Sequence, residues 1–302
     1  MVSWKYAQLP ASMVSDDLSI NHARKTSRKL IQKLGATVGE IARENELTWT
    51  YALPDFEEVV THVSIGLDGT TTPIVGEGYR ETMCGTLTFY NKIGDRIHTI
   101  YTASAPEYGK NTFYSTLDTE IGNIKKQFPD LTYIGLADGA KCNWSYLEVH
   151  TEVQILDFYH ATEYLAKVSA VMNTDETKRA IWLDAACTDL KHKSKGATFL
   201  LRELRQYQKS LNTDASEVVG GAITYFTNNL EKMQYAKYQK QGYSIGSGIT
   251  EAACKVVAKQ RLSSSGMRWT KPTVQHMLLM RGLICTKQRW NQFWSKIDEN
   301  GR

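Results

Sequence analysis

Between His62 and Asp68 the chain alternates apolar with small or polar residues, Val63, Ser64, Ile65, Gly66, Leu67. That is the two-residue period of a strand, and Asp68-Gly69, a good turn signal, predicts its end. Thr86 to Tyr90 and Arg96 to Thr102 repeat the pattern, and Asn91-Lys92-Ile93-Gly94-Asp95 between them predicts an antiparallel hairpin. Phe113, Leu117, Ile121, Ile124 and Phe128 then recur at helical spacing, and Pro129 closes the run. Tyr133 to Ala137 predicts a short apolar strand ending at Asp138-Gly139, followed by a helix and a last strand from Val153 to Leu156.

The order is three strands, helix, strand, helix, strand. It is the ribonuclease H-like plan of an α/β fold: three meandering strands, then crossovers that add two parallel strands beside the first, with helices flanking the mixed sheet. On that plan the ends of the first and fourth strands become neighbours. Asp68 and Asp138, 70 positions apart, are then expected to meet.

Outside this core, Leu18 to Asn45 reads as two helices broken at Gly35, the first carrying Arg24, Lys25, Arg28, Lys29 and Lys33. Two readings stand side by side, a helix-turn-helix remnant and a helical hairpin packed on the core. Leu165 to Lys237 has helical patterning and little strand signal, which predicts an all-helical insertion. Tyr243 to Gly248 is a small-residue turn suited to a helix start. The helix after it sets Ile249, Ala252, Ala253, Val256 and Val257 on an apolar stripe, with Glu251 at the stripe's edge. The expected division is a helical region with DNA contact over 1–60, a first core part over 61–170, the insertion over 171–245, and a last core part with basic helices over 246–302.

Charge sharpens the picture. The net value is only +4, yet residues 252 to 297 hold nine Lys or Arg and no acid, which leaves 27 basic against 32 acidic residues elsewhere. A positive block interleaved with Trp269, Trp290 and Trp294 suggests a polyanion, against the plainer reading of a solvated helical face. The residues expected to touch DNA are Lys255, Lys259, Arg261, Arg268 and Trp269, with Arg24 and Arg28 near the start. The five cysteines, Cys84, Cys142, Cys187, Cys254 and Cys285, are odd in number and contain no C-x-x-C, so neither a zinc ribbon nor a disulfide framework is expected; each reads as a small buried residue. No apolar run approaches the roughly 20 residues of a membrane helix, and the start lacks a secretory signal, so a cytoplasmic, nucleoid-associated protein with no membrane partner is expected.

Asp68, Asp138 and Glu251 on this strand order suggest two-metal phosphodiester chemistry. Carboxylates converging on two Mg²⁺ or Mn²⁺ ions about 3.5–4 Å apart activate the attacking oxygen and stabilise the leaving one. Each acid also has a plain reading: Asp68 and Asp138 as turn residues, Glu251 as the partner of Lys255 at helical spacing. Asp157-Phe158-Tyr159-His160 lies where the last strand gives way to a helix; Asp157 suits a helix cap, and His160 suits a phosphate or the orientation of an acid.

These residues carry a resemblance. Val63 to Thr71, Leu156 to Ala161, and Gly246 to Lys255 followed by Arg261 and Ser265-Gly266-Met267-Arg268-Trp269 resemble transposases of the ISKra-type bacterial insertion sequences, of the Mutator-like class. The resemblance runs from about residue 60 to Trp294. It implies a ribonuclease H-like catalytic domain, an acidic triad at Asp68, Asp138 and Glu251, an all-helical insertion, and Asp157 and His160 as an Asp-x-x-His motif. It further implies two divalent metal ions, DNA as transposon end and target, and a homodimer or higher oligomer on the DNA. The family's amino-terminal DNA-binding portion is short here, so a further recognition domain or chain is expected. Rival readings are a structure-selective nuclease or resolvase, which cuts without joining, and a domesticated DNA-binding protein without turnover.

Overall fold

The computed structural model describes residues 1–300. Five strands form a sheet in the order β3-β2-β1-β4-β5: β1 (His62–Ile74), β2 (Gly78–Tyr90), β3 (Arg96–Ser104), β4 (Thr132–Ala137) and β5 (Val153–Leu156). Neighbouring strands β1, β2 and β3 are joined by connections of three and five residues, too short for a parallel crossover, so they run antiparallel. β4 and β5 are parallel, with Ile134 opposite Val153 and Ala137 opposite Leu156. The sheet is therefore mixed and the class α/β.

The chain forms two compact units: 1–89 with 96–131 and the segment from Gly248 on, and 90–95 with 132–247. The first holds α1 (Val2–Gln8), α2 (Ala11–His22), α3 (Arg28–Glu44), α4 (Asn111–Gln127) and a carboxyl-terminal helical series. That series runs through α11 (Gly248–Ala253), a π-helical stretch (Cys254–Lys259), α12 (Gln260–Leu262), α13 (Lys271–Cys285) and α14 (Arg289–Glu299). α3 packs along α13, and Val38, Ala42, Val257, Leu262, Val274, Leu278 and Phe293 share one buried cluster. The second unit holds β4, α5 (Lys141–His150), β5 and five further helices: α6 (Phe158–Met172), α7 (Glu176–His192), α8 (Gly196–Gln208), α9 (Thr213–Asn229) and α10 (Tyr235–Lys240). From residue 158 to 240 there is no strand. Val168, Leu204, Val219 and Ala222 form a core among these helices.

Four expectations need correction. β1 does not stop at Asp68-Gly69 but runs six residues beyond Asp68. Thr70 and Thr72 are buried β-branched residues that continue the strand, and the Thr82 hydroxyl donates to that of Thr72 at 2.8 Å. The reversal falls instead at Val75-Gly76-Glu77, where Gly76 takes φ +80°. The amino-terminal helices break not at Gly35 but across Ala23 to Ser27, with Ser27 capping Leu30 N–H. Gly35 lies inside α3 because the Tyr6 ring packs against it: an added Cβ would stand 2.2 Å from Tyr6 Cδ1. The buried stripe after Gly248 is Thr250, Ala253, Cys254, Val257, Ala258, Arg261 and Leu262; Ala252 is exposed and Ile249 and Val256 are half-buried. Finally, only Cys84 and Cys254 are buried; Cys142 is exposed and Cys187 and Cys285 are half-buried, although all five cysteines are free of disulfides.

Candidate functional site

In the first unit, strand periodicity puts Ser64, Gly66 and Asp68 on one face of β1. α11 seats on that face at Gly66, where an added Cβ would lie 2.1 Å from Thr250 Oγ1. Thr250 Oγ1 also hydrogen-bonds Thr86 Oγ1 at 2.8 Å, tying the helix to β2. One turn on, the Cys254 thiol donates to Asp68 Oδ2 at 3.6 Å, and Asp68 Oδ1 accepts from Gly69 N–H at 2.7 Å. Cys84 and burial together push the Cys254 thiol's pKa far up, so sulfur stays protonated beside the carboxylate. Glu251 stands between Thr250 and Cys254 in sequence, at the exposed margin of the face that seats on β1. Residues at i and i+3 share a helix face, so Glu251 lies above the residue that touches Asp68.

The helix between these contacts is irregular. Over Cys254–Lys259 the hydrogen bonds widen to the π pattern, which leaves backbone carbonyls in need of donors. Buried Arg281 supplies them: its Nε donates to Val257 O at 2.8 Å, its Nη2 donates to Val256 O, and its Nη1 reaches Ala7 O at 3.0 Å.

In the second unit, β4 ends at Ala137, and Gly139 at φ +101° turns the chain into α5. Asp138 Oδ1 accepts from Ala140 N–H at 3.1 Å and from Asn143 Nδ2 at 3.3 Å. Tyr225 of α9 donates its hydroxyl to Asp138 O at 2.8 Å while its ring stacks on Tyr164 with centroids 3.9 Å apart. A helix of the strand-free region thus braces the end of β4. Asp157 is fully buried and caps α6: Oδ1 accepts from His160 N–H at 2.7 Å, and Oδ2 accepts from Ser247 N–H at 2.5 Å. The same Oδ1 lies 3.2 Å from His160 Nδ1. Burial by itself lowers the His160 pKa, but the charge and hydrogen bond of Asp157, with Glu163 and Asp138, outweigh it, and the net shift is upward.

The residues expected to touch DNA divide. Lys255, Lys259, Arg268, Arg24 and Arg28 are exposed. Arg261 is not: only 2% of it is accessible, its Nε donates to Tyr6 O at 3.0 Å, and its guanidinium lies over the Trp269 ring at 4.8 Å. Trp269 is equally enclosed and donates its indole N–H to Leu262 O at 2.9 Å. Arg281 and Arg289 are buried too, the latter in a two-pronged pair with Glu120. Trp290 and Trp294 pack around Phe293 against the buried cluster. Part of the acid-free block is therefore internal wiring, because a buried guanidinium is tolerated where carbonyls or a carboxylate take its protons. Sequence reasoning missed the Cys254 contact and the Tyr225 brace, since neither partner is near in sequence and no local pattern marks it. The chain matches no family model and no curated protein.

Proposed function

We propose that this chain is a metal-dependent DNA transposase with a ribonuclease H-like core, in which Asp68, Asp138 and Glu251 hold two Mg²⁺ or Mn²⁺ ions. The supporting observation is the coincidence of strand order with the positions of the acids. The sheet runs β3-β2-β1-β4-β5; Asp68 lies on β1 and Asp138 directly follows β4, while Glu251 rides a helix seated on β1 beside Asp68. The strand-free run from 158 to 240, five α-helices with short connections, is compatible with an insertion between the second and third acids.

The donor set is chemically suited to hard cations, which prefer carboxylate oxygen. When bound, the ions would activate the attacking oxygen, first of water and then of a freed DNA 3′-hydroxyl, and stabilise the leaving one. Cys254, kept as a thiol, orients Asp68 without adding charge. Tyr225 and Asn143 fix Asp138. Asp157 holds His160 in one orientation and favours its protonated form, which suits a neighbouring phosphate. The exposed cations Lys255, Lys259, Arg268, Arg24 and Arg28 would contact the DNA backbone, and a homodimer would suit an enzyme that handles two element ends. The reading is tested by metal-dependent nicking and strand joining on DNA flanking the coding sequence. Cutting without joining would favour a nuclease or resolvase; no cutting by well-folded protein would favour a binding protein.

A further inference from the structure

The two basic stretches of the sequence, more than 200 residues apart, border one cavity in the first unit. It encloses about 400 Å³ between α3, α13 and the segments holding Tyr6 and Trp269, a size within the roughly 300–1,000 Å³ of small-molecule sites. Exposed Lys29 and Lys33, one turn apart on α3, and Arg268 line it together with half-buried Tyr6 and the small accessible parts of Trp269 and Met277. All three cations are exposed, and among the described residues none makes an ion pair or a side-chain hydrogen bond. Their placement works against the fold alone. Arg28 and Lys29 occupy the first turn of α3 with no acid beside them, where unsatisfied N–H groups already concentrate positive charge. An external anion reverses that sign.

We propose that this cavity takes one nucleotide of a DNA strand, either extruded from the duplex or unpaired at an end. The base packs against Tyr6 and reaches only the accessible margin of Trp269 and Met277, while Lys29, Lys33 and Arg268 hold the flanking phosphates. Charge complementarity selects a polyanion, and the apolar interior asks for a flat uncharged group between its charges; a nucleotide supplies both. The inference rests on the DNA-processing reading above and deepens it.

The test uses the full chain and fluorescence anisotropy with two labelled octamers, an octathymidylate and a strand of the same length with an abasic site at every position, so that no shift of register can supply a base. With wild-type protein the abasic strand should bind roughly tenfold more weakly, the range expected for losing one packed base. The variant Lys29→Ala/Lys33→Ala should flatten the salt dependence of binding by about 1.4, taking roughly 0.7 per phosphate lost from a single strand. Ala36→Phe, at the cavity wall, should abolish the abasic discrimination and leave the salt slope unchanged. Equal wild-type affinity for the intact and abasic strands would overturn the proposal whatever the variants do, and so would an unchanged slope in a folded double-lysine variant. Metal-dependent nicking by protein that fails the abasic comparison would sink this inference alone; abasic discrimination without nicking would sink the transposase reading alone.

Discussion

Gly66→Ala probes how closely the helix bearing Glu251 must seat on the strand bearing Asp68. An ideal Cβ at residue 66 lies 2.1 Å from Thr250 Oγ1, 3.1 Å from Thr86 Oγ1 and 3.3 Å from Thr250 Cβ, whereas ordinary contact begins near 3.4 Å. Roughly 1.3 Å must therefore be found at Thr250. Rotating the hydroxyl away sacrifices its 2.8 Å bond to Thr86 in a buried setting, and otherwise α11 must retreat. Overpacking of this kind costs about 1–3 kcal/mol, and a displacement near 1 Å at a catalytic carboxylate costs about 10²-fold in rate. Urea unfolding and metal-dependent nicking measure the two effects. The double variant Gly66→Ala/Thr250→Ala removes the nearest clashing atom and should recover part of both losses, giving a coupling of about 1 kcal/mol or more in a double-mutant cycle. Wild-type stability and nicking in Gly66→Ala, or no recovery in the double variant, would refute the seating argument.

Changing Asp138 to Asn should abolish nicking while leaving the thermal midpoint within a few degrees, because the amide keeps the shape and loses the ligand charge; robust nicking would remove Asp138 from the site. Asp157→Ala should destabilise by about 1–3 kcal/mol, since it strips both the α6 cap and the acceptor of Ser247 N–H; an unchanged urea midpoint would contradict the capping role. His160 has a folded-state pKa raised above its ordinary value of about 6.5, so its protonation favours the folded state. That contribution is fully present below pH 6.5 and is lost as pH rises through the folded pKa. In Asp157→Asn the NMR titration midpoint of His160 should fall, and a midpoint that stays put would refute the coupling. Arg281→Met should cost about 3 kcal/mol or more, leaving Val256, Val257 and Ala7 carbonyls without their donor, while the salt slope of DNA binding stays as in the wild type; a flattened slope would return Arg281 to the surface.

Much of the sheet was legible because its signals are local. The Val153 to Leu156 strand, the Asn91 to Asp95 turn and the Asp157 cap each rest on residues within a few positions of one another. The failures share a cause, which is a decisive partner distant in sequence. Gly35 looks like a helix breaker until Tyr6 is seen to fill the space beside it. Asp68-Gly69 looks like a turn until β2 is seen pairing past it. Arg261 and Arg289 look like a cationic surface, yet their acceptors, Tyr6 and Glu120, lie 255 and 169 positions away, and Arg281 joins Val256 and Val257 to Ala7, 274 positions away. Charge counted along a sequence does not distinguish a guanidinium facing solvent from one wiring carbonyls together.

The central claim is that Asp68, Asp138 and Glu251 act together to cut and join DNA with divalent metal. It is tested most directly by incubating the full chain with labelled DNA from the flanks of its own coding sequence and a supercoiled target, with Mg²⁺, with Mn²⁺ and with a chelator. Joined product should form with either metal, vanish with the chelator, and vanish in each of Asp68→Asn, Asp138→Asn and Glu251→Gln although all three still bind DNA. Joining that survives chelation, or that persists in any one of the three amides, would contradict the claim.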